Sequence, residues 1–259
     1  LALSYSSQGT NERYSRLSPA GDEGEGWDLS LGSISAAQYP NTSTGGAAIY
    51  YSINGIDGVS DKLLPIPGKS GYYDTQHLSH LLVYQNPLNG GFWQVWGLDG
   101  TYYELGYTSN ARRVTPLLGT YQWDLDKILA PFNNNVQLKA IVVTYLQDSP
   151  DGGATIRDAS IAQIQYGTYL NGPMSQVAGT IDFHYHMQTV PSGQSAFATV
   201  YGTNYNCASA PPSSTTLRCD DPTQYGSVAP PSVMATMSLD SVTSYVGADT
   251  ANQPAYQYT

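Results

Sequence analysis

Trp123-Asp124-Leu125-Asp126 places two carboxylates on one face of an alternating segment, beside aromatic rings. Carboxyl groups about 5–9.5 Å apart are the working pair of glycoside hydrolysis, and Glu104 is a third candidate member. The competing reading makes all three ordinary residues of an exposed strand face. Polysaccharide lyases built on β-sandwiches work instead with Tyr, His and Arg in a groove, and Arg157, His184 and Tyr185 supply those types. The sequence holds no Gly-x-Ser-x-Gly elbow, no phosphate-cradling loop and no cysteine–histidine nucleophile pattern.

All four histidines fall in two pairs, His77-x-x-His80 and His184-x-His186. A strand alternates faces every residue, so His184 and His186 point the same way, opposite to Ile181, Phe183 and Tyr185. Joined by Asp74 or Asp182, such pairs are a ligand set for Zn²⁺ or Cu²⁺. The plainer reading is a polar strand face that tolerates histidine. Asp22, Glu23, Glu25 and Asp28, interleaved with glycines, offer oxygens to Ca²⁺ without the spacing of an EF-hand loop, so a solvated acidic loop competes. No other cofactor is suggested. Asp148-Ser149-Pro150-Asp151-Gly152-Gly153 is a turn by its composition. Trp93, Trp96 and Trp123 suit stacking on sugars, and equally a cross-strand aromatic core.

The elements that must position these groups follow from composition. The chain has 259 residues, with 20 acidic against 10 basic side chains, only 12% charged residues, and 22 tyrosines, 26 glycines and 16 prolines. Scattered, outnumbered Lys and Arg exclude phosphate-driven nucleic-acid binding. No apolar run reaches the roughly 18 residues of a membrane-spanning helix, and 41% apolar content is enough for a core rather than disorder. Good surface helix formers are nearly absent. Strand signals alternate with turn signals instead: Trp27–Leu31, Ile49–Ile53 closed by Asn54-Gly55, Leu78–Tyr84, Gly91–Trp96, the Asp99-Gly100 turn, Thr101–Leu105 and Thr120–Ile128. Asp126–Ala130 allows a short helical turn. Val136–Leu146, Ala159–Tyr166, Thr180–Met187, Ala196–Tyr201, Val233–Leu239 and Ser241–Val246 complete the series. The expected fold is all-β, an antiparallel sheet of many short strands, with a β-sandwich as the alternative.

Residues 1–26 read as a polar, Gly-rich segment ahead of a β-rich domain over 27–259. Cys207 and Cys219, inside a Pro/Ser/Thr-rich stretch, are spaced for a disulfide that would pin a loop at 203–232. The low-Lys, Tyr-rich composition fits a secreted or cell-surface protein, and Asn41-Thr42-Ser43 is a glycosylation triplet. The start lacks a leader pattern, and the strand-like alternation of Ala255-Tyr256-Gln257-Tyr258 suggests a piece of a longer chain. Aromatics recur at Tyr103, Trp123, Tyr145, Tyr166 and Tyr185, spaced 20, 22, 21 and 19, then at Tyr205, Tyr225 and Tyr245. Such a period describes strand pairs stacking on their neighbours.

Gly26-Trp27-Asp28-Leu29-Ser30-Leu31-Gly32-Ser33-Ile34 resembles the opening found ahead of the repeats in Rhs/YD-repeat proteins and the related B components of bacterial toxin complexes. Trp93-Gln94-Val95-Trp96 followed by Asp99-Gly100-Thr101-Tyr102-Tyr103-Glu104-Leu105-Gly106 is similar to a further stretch of that family. So are Tyr121–Ile128 and Ile141-Val142-Val143-Thr144-Tyr145. The Asn-Arg-x-x-x-Tyr-x-Tyr-Asp units of well-formed repeats are absent, so the N-terminal shell region is the better match. The resemblance implies a non-enzymatic segment of a secreted β-strand cocoon that encloses or presents another domain. Its partner would be the rest of a larger parent chain. A carbohydrate-binding or carbohydrate-degrading β-sandwich, with glycans as partners, is the alternative.

Overall fold

A computed structural model describes residues 4–5, 27–40, 47–115, 119–131, 139–149, 152–154, 156, 158–169, 177–187, 237–247 and 254–258. Among them there is no α-helix, only 3-10 turns at Leu88–Gly90 and Ser109–Ala111 and sixteen strands. Among the described residues no helix is long and apolar enough to cross a membrane. The short pair β1 (Ser4–Tyr5) and β2 (Trp27–Asp28) forms its own ladder, so the polar N-terminal segment contributes a strand.

Eight strands close into a barrel: β3 (Ser33–Pro40), β4 (Ala47–Ile56), β5 (Val59–Pro65), β6 (Tyr72–Thr75), β7 (Leu82–Asn86), β8 (Phe92–Trp96), β9 (Tyr102–Leu105) and β11 (Gly119–Leu129). Closure comes from β11, whose Gln122–Asp124 pair with Ser33–Ser35 of β3 while Lys127–Leu129 pair with Tyr102–Glu104 of β9. The remaining strands are β10 (Arg112–Thr115), β12 (Lys139–Asp148), β13 (Asp158–Tyr169), β14 (Gly179–Met187), β15 (Met237–Val246) and β16 (Tyr256–Tyr258). β10 lies along the first half of β11, and β12 pairs with Lys127–Leu129 before the meander runs out to β16. The molecule is therefore a barrel with an appended sheet rather than a sandwich, and β11 belongs to both parts.

Alternation along the strands builds the barrel core. Ile34, Ile53, Leu63, Val83, Val95, Leu105 and Leu125 point inward, as an eight-stranded barrel just wide enough to be filled by side chains requires. Burying each such side chain stabilises the fold by about 1.5–3 kcal/mol. A second core collects Val143, Tyr145, Ile161, Ile164 and Phe183 of the appended sheet against Leu29 and Ala111.

Three local expectations are corrected. Asn54-Gly55 does not close the first hairpin: Asp57-Gly58 does, both residues at positive φ (51° and 73°), the backbone of the tight turn that matches strand twist. Asn54 and Gly55 instead oppose the single residue Ser60 as a bulge, where Gly55 (φ 68°) takes the left-handed conformation. Asp126–Ala130 is not helical, because cross-strand partners on both sides hold Lys127–Leu129 in β11, with Asp126 the extra residue of a bulge against β9. The strand expected over Leu78–Tyr84 begins only at Leu82, since Leu78 sits in a turn at φ 53°. The Asp99-Gly100 turn joins β8 to β9 as expected. The segments Ala196–Tyr201 and 203–232, with Cys207 and Cys219, lie outside the described residues.

Candidate functional site

Asp124 and Asp126 are both buried, 5% and 3% exposed, so the reading of them as exposed face residues fails. Trp123 and Leu125 fill the barrel, and neighbouring polypeptide covers the opposite face of β11. Asp124 accepts from the Gln122 amide at 2.6 Å and from Arg113 Nε at 3.3 Å. Arg113 Nη2 also donates to the Ala159 carbonyl at 2.9 Å, tying β10 and β11 to β13. Asp126 accepts the backbone N–H groups of Tyr107 and Thr108 and the Thr108 hydroxyl. It thereby pins the loop between β9 and β10. Burial pushes its carboxyl up to about 6, against the lowering effect of those donors.

Glu104 does not join the two aspartates at a common centre. Its carboxylate accepts from Lys127 Nζ at 2.7 Å and from the Tyr102 hydroxyl at 2.9 Å. Each of the three carboxylates thus has its own donors, and the arrangement is that of structural anchors. Arg157 lies outside the described residues. His184 is exposed on β14, whereas Tyr185 on the opposite face donates to the Ile161 carbonyl at 3.0 Å, so this pair does not converge.

The histidine pairs are also apart in role. His77 binds Asp61 through its backbone N–H (2.7 Å) and through Nδ1 (2.9 Å), and that N–H is the main cause holding the Asp61 carboxyl below its ordinary value. His80 is exposed. His186 Nδ1 lies 2.6 Å from Asp240 Oδ1, and Asp240 is the extra residue of a bulge on β15. Asp182 accepts from Gln163 across β13–β14 at 2.8 Å, and Asp74 is exposed. Among the described residues no three His, Cys, Asp or Glu side chains converge as a metal shell. Asp22, Glu23, Glu25 and the Asp28 side chain fall outside them, as does Asn41-Thr42-Ser43.

Of the three candidate tryptophans, two are interior. Trp93 is 0% exposed, with the Tyr51 ring at 4.9 Å and Trp123 at 5.9 Å, all in edge-on packing. Trp123 Nε1 donates to the Gly91 carbonyl at 2.9 Å, while Trp93 Nε1 has no hydrogen-bond partner. Trp96 alone faces outward, half-buried, its ring 5.2 Å from that of Tyr102. Among the described residues the recurring aromatics fall one per strand, but unequally. Tyr103, Trp123 and Tyr145 are buried, whereas Tyr166 is exposed. Their period reflects the strand-plus-turn length more than a shared packing role.

Sequence reasoning missed a polar row on the outer barrel face. Asn86 donates to Gln94 at 3.2 Å, Gln94 to the Tyr102 hydroxyl, and Tyr102 to Glu104. Period-2 alternation does place Gln94 with Trp96, and Tyr102 with Glu104. Only the pairing of β8 with β9 and β9 with β11 lines them up.

No family model matches the chain, and no curated protein matches it in sequence. Solved structures do share its architecture, an all-antiparallel barrel with appended strands. It is similar to the N-terminal domain of the effector protein SpvB from Salmonella typhimurium strain LT2, with a TM-score of 0.56 and 17% identity over 95% of this chain and 82% of that one. It is also similar to a chain of the Photorhabdus luminescens Tc holotoxin pore (TM-score 0.51, 14% identity, 92% of this chain). A chain of the TcdB2-TccC3-Cdc42 complex matches comparably (TM-score 0.50, 17% identity, 88% of this chain). The chain spans 12% of the length of each of these two toxin-complex chains. At these identities the likeness is one of fold.

Proposed function

We propose that this chain is a non-enzymatic building segment of a secreted or cell-surface β-shell of the Rhs/YD-repeat kind, which encloses or presents another domain of a larger parent chain. The observation that carries this reading is the sharing of β11 between a filled barrel and an open-ended meander. A closed barrel by itself has no free edge, but the appended sheet ends at β16, whose Tyr256 and Tyr258 are about 70% exposed. Among the described residues β16 is an edge strand, and its outer backbone groups can pair with a further strand. The rings support it, since Trp93, Trp123 and Tyr145 are fixed within walls. The fold likeness to toxin-complex chains many times longer fits the same role.

The test is protease protection of the intact parent polypeptide. A shell predicts that a defined C-terminal fragment survives digestion under native conditions and becomes sensitive once the shell is unfolded. Digestion of everything outside this domain at the rate of a free chain would overturn the proposal.

A further inference from the structure

We infer that the outer barrel face across β7, β8, β9 and β11 binds a neutral, linear oligosaccharide, with Trp96 and Tyr102 lying under sugar rings and Gln94, Glu104 and Lys127 reading hydroxyls. This goes beyond the shell role and does not depend on it.

Charge comes first. The chain carries a net charge of −10, yet the polar row along this face is neutral among the described residues. Glu104 and Lys127 neutralise each other at 2.7 Å, with their side chains 14% and 24% exposed, while Asp124 and Asp126 on the same side of β11 are buried under their own donors. An acidic or basic ligand gains nothing here, whereas a neutral polar one pays no charge-desolvation cost.

The polar row also has the right valence. Its hydrogen bonds all run one way, from Asn86 through Gln94 and Tyr102 to Glu104, with Lys127 meeting Glu104 from the other side. Capacity is left over: the ammonium of Lys127 has three hydrogens, the Gln94 amide two, and each carboxylate oxygen further lone pairs. Vicinal sugar hydroxyls both donate and accept, which is what an amide beside a carboxylate–ammonium pair can answer. Burial holds the Tyr102 hydroxyl well above the ordinary phenol range, so it stays a fixed donor.

Rings border the row on both sides. Leu82, Trp96 and Tyr102 stand opposite one another on three adjacent strands, and Tyr72 and Tyr84 stack at 4.7 Å beyond Gln94. Adjacent strands are about 4.8 Å apart, comparable to one pyranose unit. An extended chain lying across the strands would meet a new polar residue at each sugar. A lipid surface would find the ammonium, amide and carboxylate in its way. Because every contributing residue sits on a paired strand, the platform is ordered in advance.

The experiment titrates the protein with cellohexaose, xylohexaose, laminarihexaose and maltohexaose, following backbone and tryptophan indole NMR signals. Binding of at least one probe is expected, with shifts confined to Gln94, Trp96, Tyr102 and their neighbours. Trp96→Ala should weaken it by about tenfold or more, as loss of an aromatic anchor does. If Trp96→Ala fails to fold, Gln94→Ala replaces it with the same expectation. Failure of all four probes at millimolar concentration, shifts that map elsewhere, or a folded variant with undiminished binding would each overturn the inference.

Discussion

The hydroxyl of Tyr145 on β12 donates to the main-chain carbonyl of Leu125 on β11 at 2.9 Å, and both residues are buried. One phenol thus rivets the appended sheet to the strand that closes the barrel. Tyr145→Phe keeps the ring and removes only the donor. It should cost about 1–2 kcal/mol, read as a lower denaturant midpoint at unchanged slope. Tyr185→Phe, which loses a less buried bond to Ile161, should cost less.

Trp93 and Trp123 share one aromatic cluster but differ at the indole nitrogen. Trp123→Phe deletes volume and the bond to Gly91, whereas Trp93→Phe deletes volume and an unpaired donor. Equilibrium unfolding should therefore find Trp123→Phe more damaging by about 1 kcal/mol. Equal costs, or the reverse order, would contradict this account of the barrel interior.

Asp126 titrates near 6 in the folded chain, above its ordinary 3.8. Between those values the folded state binds more protons than the unfolded one, so this group's contribution to stability falls as pH rises through 6. At about 1.4 kcal/mol per unit, the ionised form costs roughly 3 kcal/mol at pH 7.5. The stability difference between Asp126→Asn and the parent, measured by denaturation at pH 5 and 7.5, should shift in favour of the variant at the higher pH. A constant difference would mean that Asp126 is not buried as described.

Gly106 has φ 67°, and a Cβ there would collide with the Trp123 side chain. Gly106→Ala combines left-handed strain with overpacking. It should destabilise by about 2–4 kcal/mol, visible as a lower thermal midpoint.

Strand content and most strand positions were legible because alternation and turn residues are local. The Asp99-Gly100 turn was readable for that reason. Asn54-Gly55 misled because Asp57-Gly58, three residues on, has the same tight-turn chemistry, and only one of the two can close the hairpin. Barrel closure was not legible, since it rests on Gln122 meeting Ser35 and Lys127 meeting Glu104 across long stretches of intervening chain. The same non-local pairing buries Asp124 and Asp126. Alternation assigned them to one face but could not say what covers it. Trp96 shows the converse: its spacing from Trp93 marks a change of face along β8, yet which ring is interior depends on how the sheet curls.

The most direct measurement is a single-particle cryo-EM structure of the intact parent polypeptide. The account predicts that β16 pairs with a following strand and that the meander runs unbroken into a wall around an enclosed cavity, with Trp93 and Trp123 sealed in their barrel. A free-standing module on a flexible tether, with the β16 edge open and the rings turned toward a ligand-filled cleft, would contradict it.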